Sequence, residues 1–235
     1  MVPLKRLFSS SLGKKYIMGS SGLAIGLFLI VHLLGNLTLF SPNGDMINTY
    51  SAQLHSLGYI LKVVEWILFG IFAIHILMAF WIAIGNKRAR SIAYSESHSK
   101  NGNSKNTILS RNMIISGTVL GVFLGIHLYQ FWAGPGIEQG YTATVNGIMV
   151  HDIYRVVTER FSSIGWVSFY VGCMFFLGFH LRHAYWSGFQ SLGLMNPRWS
   201  KPIHLASLML AILLSIGFLI LPIYIYTTQG GGGNS

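Results

Sequence analysis

Nine histidines stand in this sequence, and four of them occupy positions where an ionisable group is expensive. His32, His75, His127 and His180 each lie inside a long apolar run, one in each of four successive runs. Ionisable side chains within membrane-spanning segments are rare and usually serve function. Neutral imidazole is also the commonest metal ligand among the side chains. One such histidine is equally well explained by a hydrogen bond to a neighbouring helix, but four in successive runs call for a common role.

The runs that must position them are legible from composition. Of the 235 residues, 52% are hydrophobic and only 9% charged, whereas soluble domains carry about 25% charged residues. The net charge of +10 does not form one basic surface of the kind that grips nucleic acid. The basic residues sit in short clusters between apolar runs, as membrane topology requires. A bilayer core needs about 20 apolar residues of helix. Five stretches qualify: Tyr16–Phe40, Ile60–Ile84, Ile108–Trp132, Ile164–Trp186 and Ile203–Tyr226. Backbone groups in lipid must be satisfied internally, so each stretch is a helix. The fold class is therefore all-α: one domain over residues 1–235, an integral membrane bundle of five transmembrane helices. The run beginning at Tyr16 follows Lys5, Arg6, Lys14 and Lys15 but is too long for a signal-peptide core, so it is read as a retained first span. Further clusters are Lys87, Arg88, Arg90, Lys100, Lys105 and Arg111, then Arg182, Arg198 and Lys201. With the opposite connections poor in basic residues, the N-terminus is placed in the cytoplasm and the C-terminus outside. Met149–Phe161 has apolar residues at helical spacing and is expected to form a short amphipathic helix on the outer surface. No internal repeat stands out.

Depth sorts the histidines. Spans one and three run outward, with His32 eight residues before Phe40 and His127 five before Trp132. Spans two and four run inward, with His75 nine residues before Ile84 and His180 six before Trp186. At a rise of about 1.5 Å per residue, each lies on the order of 10 Å inside a boundary. This gives an outer pair, His32 with His127, and an inner pair, His75 with His180. Two imidazoles at one depth on facing helices can ligate one haem iron from both sides, and two haems at different depths would carry electrons across the membrane. Gly35, Gly70, Gly121, Gly125 and Gly172 lie near these positions and leave room for a wide ring. His183, three residues after His180 and on nearly the same face, is an alternative ligand or a contact for a haem propionate. His204 is read as solvated or as a propionate contact; His55, His98 and His151 are read as surface residues. The lone Cys173 cannot hold an iron–sulfur cluster and is read as a small buried side chain. No flavin, nicotinamide or phosphate-loop fingerprint occurs, so any such cofactor belongs to another chain.

The four sites read IVHLLGN, AIHILMAFWIA, GIHLYQFW and GFHLRHAYWSGFQSLG, and the first span is preceded by SSLGKKYIMGSSGL. Over nearly the whole chain these resemble the cytochrome b558-type membrane anchor of succinate dehydrogenases and fumarate reductases, the five-helix, two-haem class. The resemblance implies two haem b groups, the distal on His32 and His127 and the proximal on His75 and His180, the pairing also reached from depth. It implies a flavoprotein subunit and an iron–sulfur subunit on the cytoplasmic face of a bacterial membrane, and exchange of electrons with a quinone, often menaquinone. This chain would then be the anchor subunit of a succinate:quinone oxidoreductase and would oxidise no succinate itself. The connection between spans three and four is long for this class. Arg182, His183 and Lys15 are expected as propionate contacts. Glu65, the one acidic residue within an expected span, either carries protons at an outer quinone site or pairs with Lys62. The competing readings are the cytochrome b subunit of a hydrogenase or formate dehydrogenase, and a haem-free proton or ion transporter.

Overall fold

The computed structural model describes residues 10–88 and 113–230. Five helices are long and apolar enough to cross a membrane, so the multi-pass reading holds. The first is α1 (Ser11–Asn36), extended by a 3-10 turn at Leu37–Phe40. The others are α3 (Tyr59–Arg88), α4 (Met113–His127) with a π turn at Leu128–Trp132, α6 (Ile164–Ser191), and α7 (Ser200–Ile225) with a π turn at Tyr226–Gly230. Between α1 and α3 lies α2 (Asp45–Ser56), and between α4 and α6 lie strands β1 (Thr142–Val145) and β2 (Ile148–His151) and helix α5 (Ile153–Phe161). The expected start of the third span, 108–112, and His98 fall outside the described residues.

Local chemistry sets these ends. The Ser10 side chain accepts from the Gly13 N–H and caps α1, satisfying one of the free donors of a helix N-terminus. Pro202 sits in the first turn of α7, where its missing N–H costs nothing. Pro222 lies inside α7, and its ring is buried.

α6 is the hub. Val167, Tyr170, Met174, Leu177, Leu181, Tyr185 and Gly188 recur along it at spacings of three and four and are all buried. It packs against α7, α1 and α4, while α1 also packs against α3 and α7, and α3 lies more lightly against α4. The helices α1, α3, α4 and α6 thus close a ring in which α1 stands diagonally from α4 and α3 from α6, with α7 outside it. Small residues let the backbones approach. A Cβ at Gly26 would stand 2.5 Å from the Tyr185 ring, one at Gly178 would stand 2.8 Å from the Ser215 hydroxyl, and one at Gly217 would stand 2.6 Å from Leu33. Outward, Leu27, Val31, Leu34, Phe69, Leu77 and Leu213 are exposed, as lipid-facing side chains are.

One end of the ring carries a cap that the sequence reading only partly anticipated. The expected helix over Met149–Phe161 begins at Ile153; Met149, Val150 and His151 are in β2 instead. Asn146 and Gly147 both adopt positive φ, 50° and 78°, and close a tight hairpin of the Asn-Gly type. That hairpin claims the preceding residues for sheet pairing. Asp152 then caps α5 by accepting from the Arg155 N–H at 3.0 Å. Buried Asn48 of α2 ties the pieces together, donating to Asp152 at 2.9 Å and accepting from the Tyr154 N–H at 3.1 Å. His151 is not a plain surface residue: it is half-buried, and its Nε2 lies 3.0 Å from the Pro135 carbonyl.

Candidate functional site

The four span histidines come from the four helices of the ring, one from each, and all four are half-buried. They form two pairs on the two diagonals. His32 of α1 and His127 of α4 lie near the cap with ring centres 5.9 Å apart and planes at 87°. Imidazoles on opposite sides of one metal ion stand with ring centres about 6 Å apart, because each metal–nitrogen bond is about 2 Å. His75 of α3 and His180 of α6 stand on the other diagonal, toward the far side. Among the described residues no cluster of three or more His, Cys, Asp or Glu is placed around a metal ion. What the ring offers is histidines in twos.

Each far-side histidine is held by the helix next to it. His75 Nδ1 lies 3.1 Å from the Ser21 hydroxyl of α1, and His180 Nδ1 lies 3.1 Å from the Ser116 hydroxyl of α4. The residue after each serine is a glycine. A Cβ at Gly22 would stand 3.2 Å from His75 Cε1, and one at Gly117 would stand 3.3 Å from His180 Cε1. The cap-side rings are packed rather than tied. His32 stacks on Phe28 at 5.2 Å and His127 on Phe123 at 5.6 Å, each one helical turn earlier.

These matching contacts expose a repeat that the linear reading missed. Ser21, Gly22, Gly26, Phe28, Leu29, His32 and Leu33 recur at one constant spacing as Ser116, Gly117, Gly121, Phe123, Leu124, His127 and Leu128. His75, Ala79 and Trp81 recur as His180, Ala184 and Trp186, with Phe80 answered by Tyr185. The hairpins α1–α3 and α4–α6 therefore carry matching residues at matching positions, with α1 and α4, and α3 and α6, on opposite corners of the ring. Outside the shared positions most residues differ, and the two copies are separated by connections of different length, so the match is hard to see without the contacts.

The cap-side pair has a polar neighbourhood of its own. The π turn at Leu128–Trp132 directly follows His127, and such turns cluster at functional positions. It accompanies the burial of Gln130, which accepts from the Tyr170 hydroxyl at 2.7 Å. That hydroxyl is 3.5 Å from His127 Nδ1, too long for a strong hydrogen bond. The Arg160 Nε is buried without a hydrogen-bond partner among the described residues, and its guanidinium lies 5.5 Å over the Trp166 ring.

The other expected site residues are dispersed. Gly35 does not border the histidines' space; a Cβ there would stand 2.7 Å from Tyr50 of α2. A Cβ at Gly70, Gly121, Gly125 or Gly172 would meet no atom within 4 Å. Glu65 sits near the cap-side end of α3 and pairs with Lys62 at 2.9 Å, the simpler of the two roles expected of it. Lys15 and Arg182 are exposed on the far-side turns of α1 and α6. His183 turns to Trp186, ring centres 6.3 Å apart, while His180 takes the serine and glycine contacts. His204 is exposed with its ring 6.0 Å from Trp186, and His55 is exposed with Nδ1 2.8 Å from the Ser51 carbonyl.

The residues present fit a pair of planar iron groups. They offer histidines in twos on diagonal helices and aromatic rings stacked on both cap-side imidazoles. Comparison with protein-family models, with curated proteins and with solved structures finds no match to this chain.

Proposed function

We propose that this chain is the haem-bearing membrane anchor of a succinate:quinone oxidoreductase. The observation that carries the reading is the arrangement of four histidines as two diagonal pairs at two depths of one helical ring. Two b-type haems held there would supply one-electron transfer along the bundle. His32 and His127 would hold the cap-side iron, and His75 and His180 the far-side iron. Paired ligation would leave no open position on either metal, and the protein's part would be to fix the histidines and exclude water.

The basic clusters support an orientation with the far side in the cytoplasm and the cap outside, and the resemblance implies a bacterial membrane. The far side is where a flavoprotein and an iron–sulfur subunit would dock. Lys15, Arg182 and His183 border that side and would meet propionates there. Membrane quinone, of the menaquinone type that the resemblance suggests, would accept or donate electrons at the bilayer. Glu65, the acidic side chain within a described span, would pass protons at the cap-side boundary after leaving Lys62. Comparing quinol-dependent proton release in wild type and Glu65→Gln tests that role; an unchanged rate removes it.

The overall reading is tested on the purified complex by adding succinate anaerobically and following the haem α-band. Reduction by succinate is expected. Haem that dithionite reduces but succinate does not would instead favour a cytochrome b of a hydrogenase or formate dehydrogenase.

A further inference from the structure

The far-side histidines are each tied to a serine, and the serine hydroxyls are themselves committed. Ser21 Oγ donates to the Met18 carbonyl at 3.2 Å, and Ser116 Oγ donates to the Met113 carbonyl at 3.2 Å. A hydroxyl has one hydrogen, and a carbonyl can only accept. With that hydrogen on the carbonyl, the serine oxygen faces the imidazole with lone pairs. A neutral imidazole carries one N–H and one bare nitrogen; with the serine oxygen accepting, the N–H is on Nδ1 and the lone pair on Nε2. The same three-part chain, from carbonyl to hydroxyl to Nδ1, occurs in both copies of the repeat. Gly22 and Gly117 let the rings lie against the neighbouring helix while the bond is made.

The cap-side pair lacks this device. Among the described residues no group hydrogen-bonds the His32 ring, and the Tyr170 hydroxyl stands 3.5 Å from His127 Nδ1.

We propose that Ser21 and Ser116 are positioning residues that lock His75 and His180 in the Nδ1–H form, orient Nε2 toward the iron, and set the far-side iron apart from the cap-side iron. A ligand imidazole that donates its other N–H becomes a stronger base toward the metal. It then favours the ferric state and lowers the potential of the far-side centre. The inference rests on the haem reading above.

The test is a redox titration of the whole complex, with the two haems resolved optically and by the low-field signals of the oxidised irons. Wild type must first show two haems per chain; fewer would end the haem reading itself. With two present, Ser21→Ala and Ser116→Ala are each expected to raise the potential of one haem. At fixed ambient potential this changes its reduced-to-oxidised ratio about three- to tenfold, the net worth of one hydrogen bond. The double variant shifts it further in the same direction, and the second haem stays put. Ser21→Thr and Ser116→Thr retain a hydroxyl that can reach the i−3 carbonyl and are expected to restore the wild-type value. Two intact haems with unmoved potentials in both alanine variants would overturn the proposal. So would equal shifts in the alanine and threonine variants, because packing rather than the hydrogen bond would then be at work.

Discussion

The two histidine pairs share a helical ring, and the structure treats them differently. On the far side, His75 and His180 reach sideways to the adjacent helix, each with Nδ1 at hydrogen-bond distance from a serine hydroxyl. On the cap side, His32 and His127 face each other at 5.9 Å and rest on phenylalanines of their own helices. The far-side rings are fixed by directed bonds, whereas the cap-side rings are fixed by packing and by the cap that closes over them. Each copy of the repeat contributes one histidine to each pair, so the two pairs are built from different positions of the unit and differ in their surroundings. Tyr185 adds a further asymmetry: it fills the space at Gly26 and donates to its carbonyl at 3.3 Å, while the equivalent Gly121 meets no atom within 4 Å.

The comparison breaks most completely if one ligand is removed. His32→Ala or His127→Ala is expected to lose the cap-side haem and keep the far-side one, halving haem per chain. His75→Ala or His180→Ala is expected to do the converse, read by potentiometry of what remains. Loss of both haems by every variant with the complex still assembled would remove the division into two centres.

Next in size is a steric test of the far-side seat. Gly22→Val and Gly117→Val would push side chains into rings already 3.2 and 3.3 Å from a Cβ position, and overpacking of this kind costs about 1–3 kcal/mol. The far-side haem is expected to fall below one per chain, while Gly70→Ala, with nothing within 4 Å, leaves the haem content at wild-type level.

A smaller effect separates the cap. Asp152→Ala removes both the α5 cap and the bond from Asn48, and losing a helix cap costs about 1 kcal/mol. Thermal release of the cap-side haem is expected at a lower temperature, with the far-side haem released as in wild type.

The smallest concerns pH. Hydrogen bonds from Tyr141 at 2.6 Å and from Arg155 at 2.7 Å hold the Glu159 carboxyl below its usual range. A carboxyl with a depressed folded-state pKa contributes stability above its unfolded pKa, and this is lost as pH falls through the folded value. Tyr141 is shifted the other way, upward, chiefly by its bond to Glu159. It contributes stability below its unfolded pKa that is lost as pH rises through the folded one. Because this network is exposed, Glu159→Gln should flatten the acid limb of cap protection in hydrogen exchange only slightly.

Much of this architecture is legible along the chain, for identifiable reasons. Apolar length and the spacing of His32, His75, His127 and His180 are enough to place five spans and to sort the histidines by depth. The serine ties are not legible, because Ser21 and Ser116 look like ordinary small residues of membrane helices until a neighbouring helix supplies the imidazole. Gly35 misleads for the same reason: its partner, Tyr50, belongs to a helix that the sequence reading did not place. The start of α5 is not legible because Met149 satisfies a helical spacing while the Asn146–Gly147 turn commits it to a strand. The repeat includes the serine, glycine and phenylalanine positions that contact the histidines, a pattern too sparse to stand out along the chain.

The central claim is that the ring holds two bis-histidine haems, and the most direct measurement is haem quantified per chain, with a dithionite-reduced minus oxidised spectrum of the purified complex. Two b-type haems with no added ligand binding to the ferrous form are the expected result. A haem-free preparation of the folded, assembled protein would contradict it and leave the paired histidines to a proton or ion path.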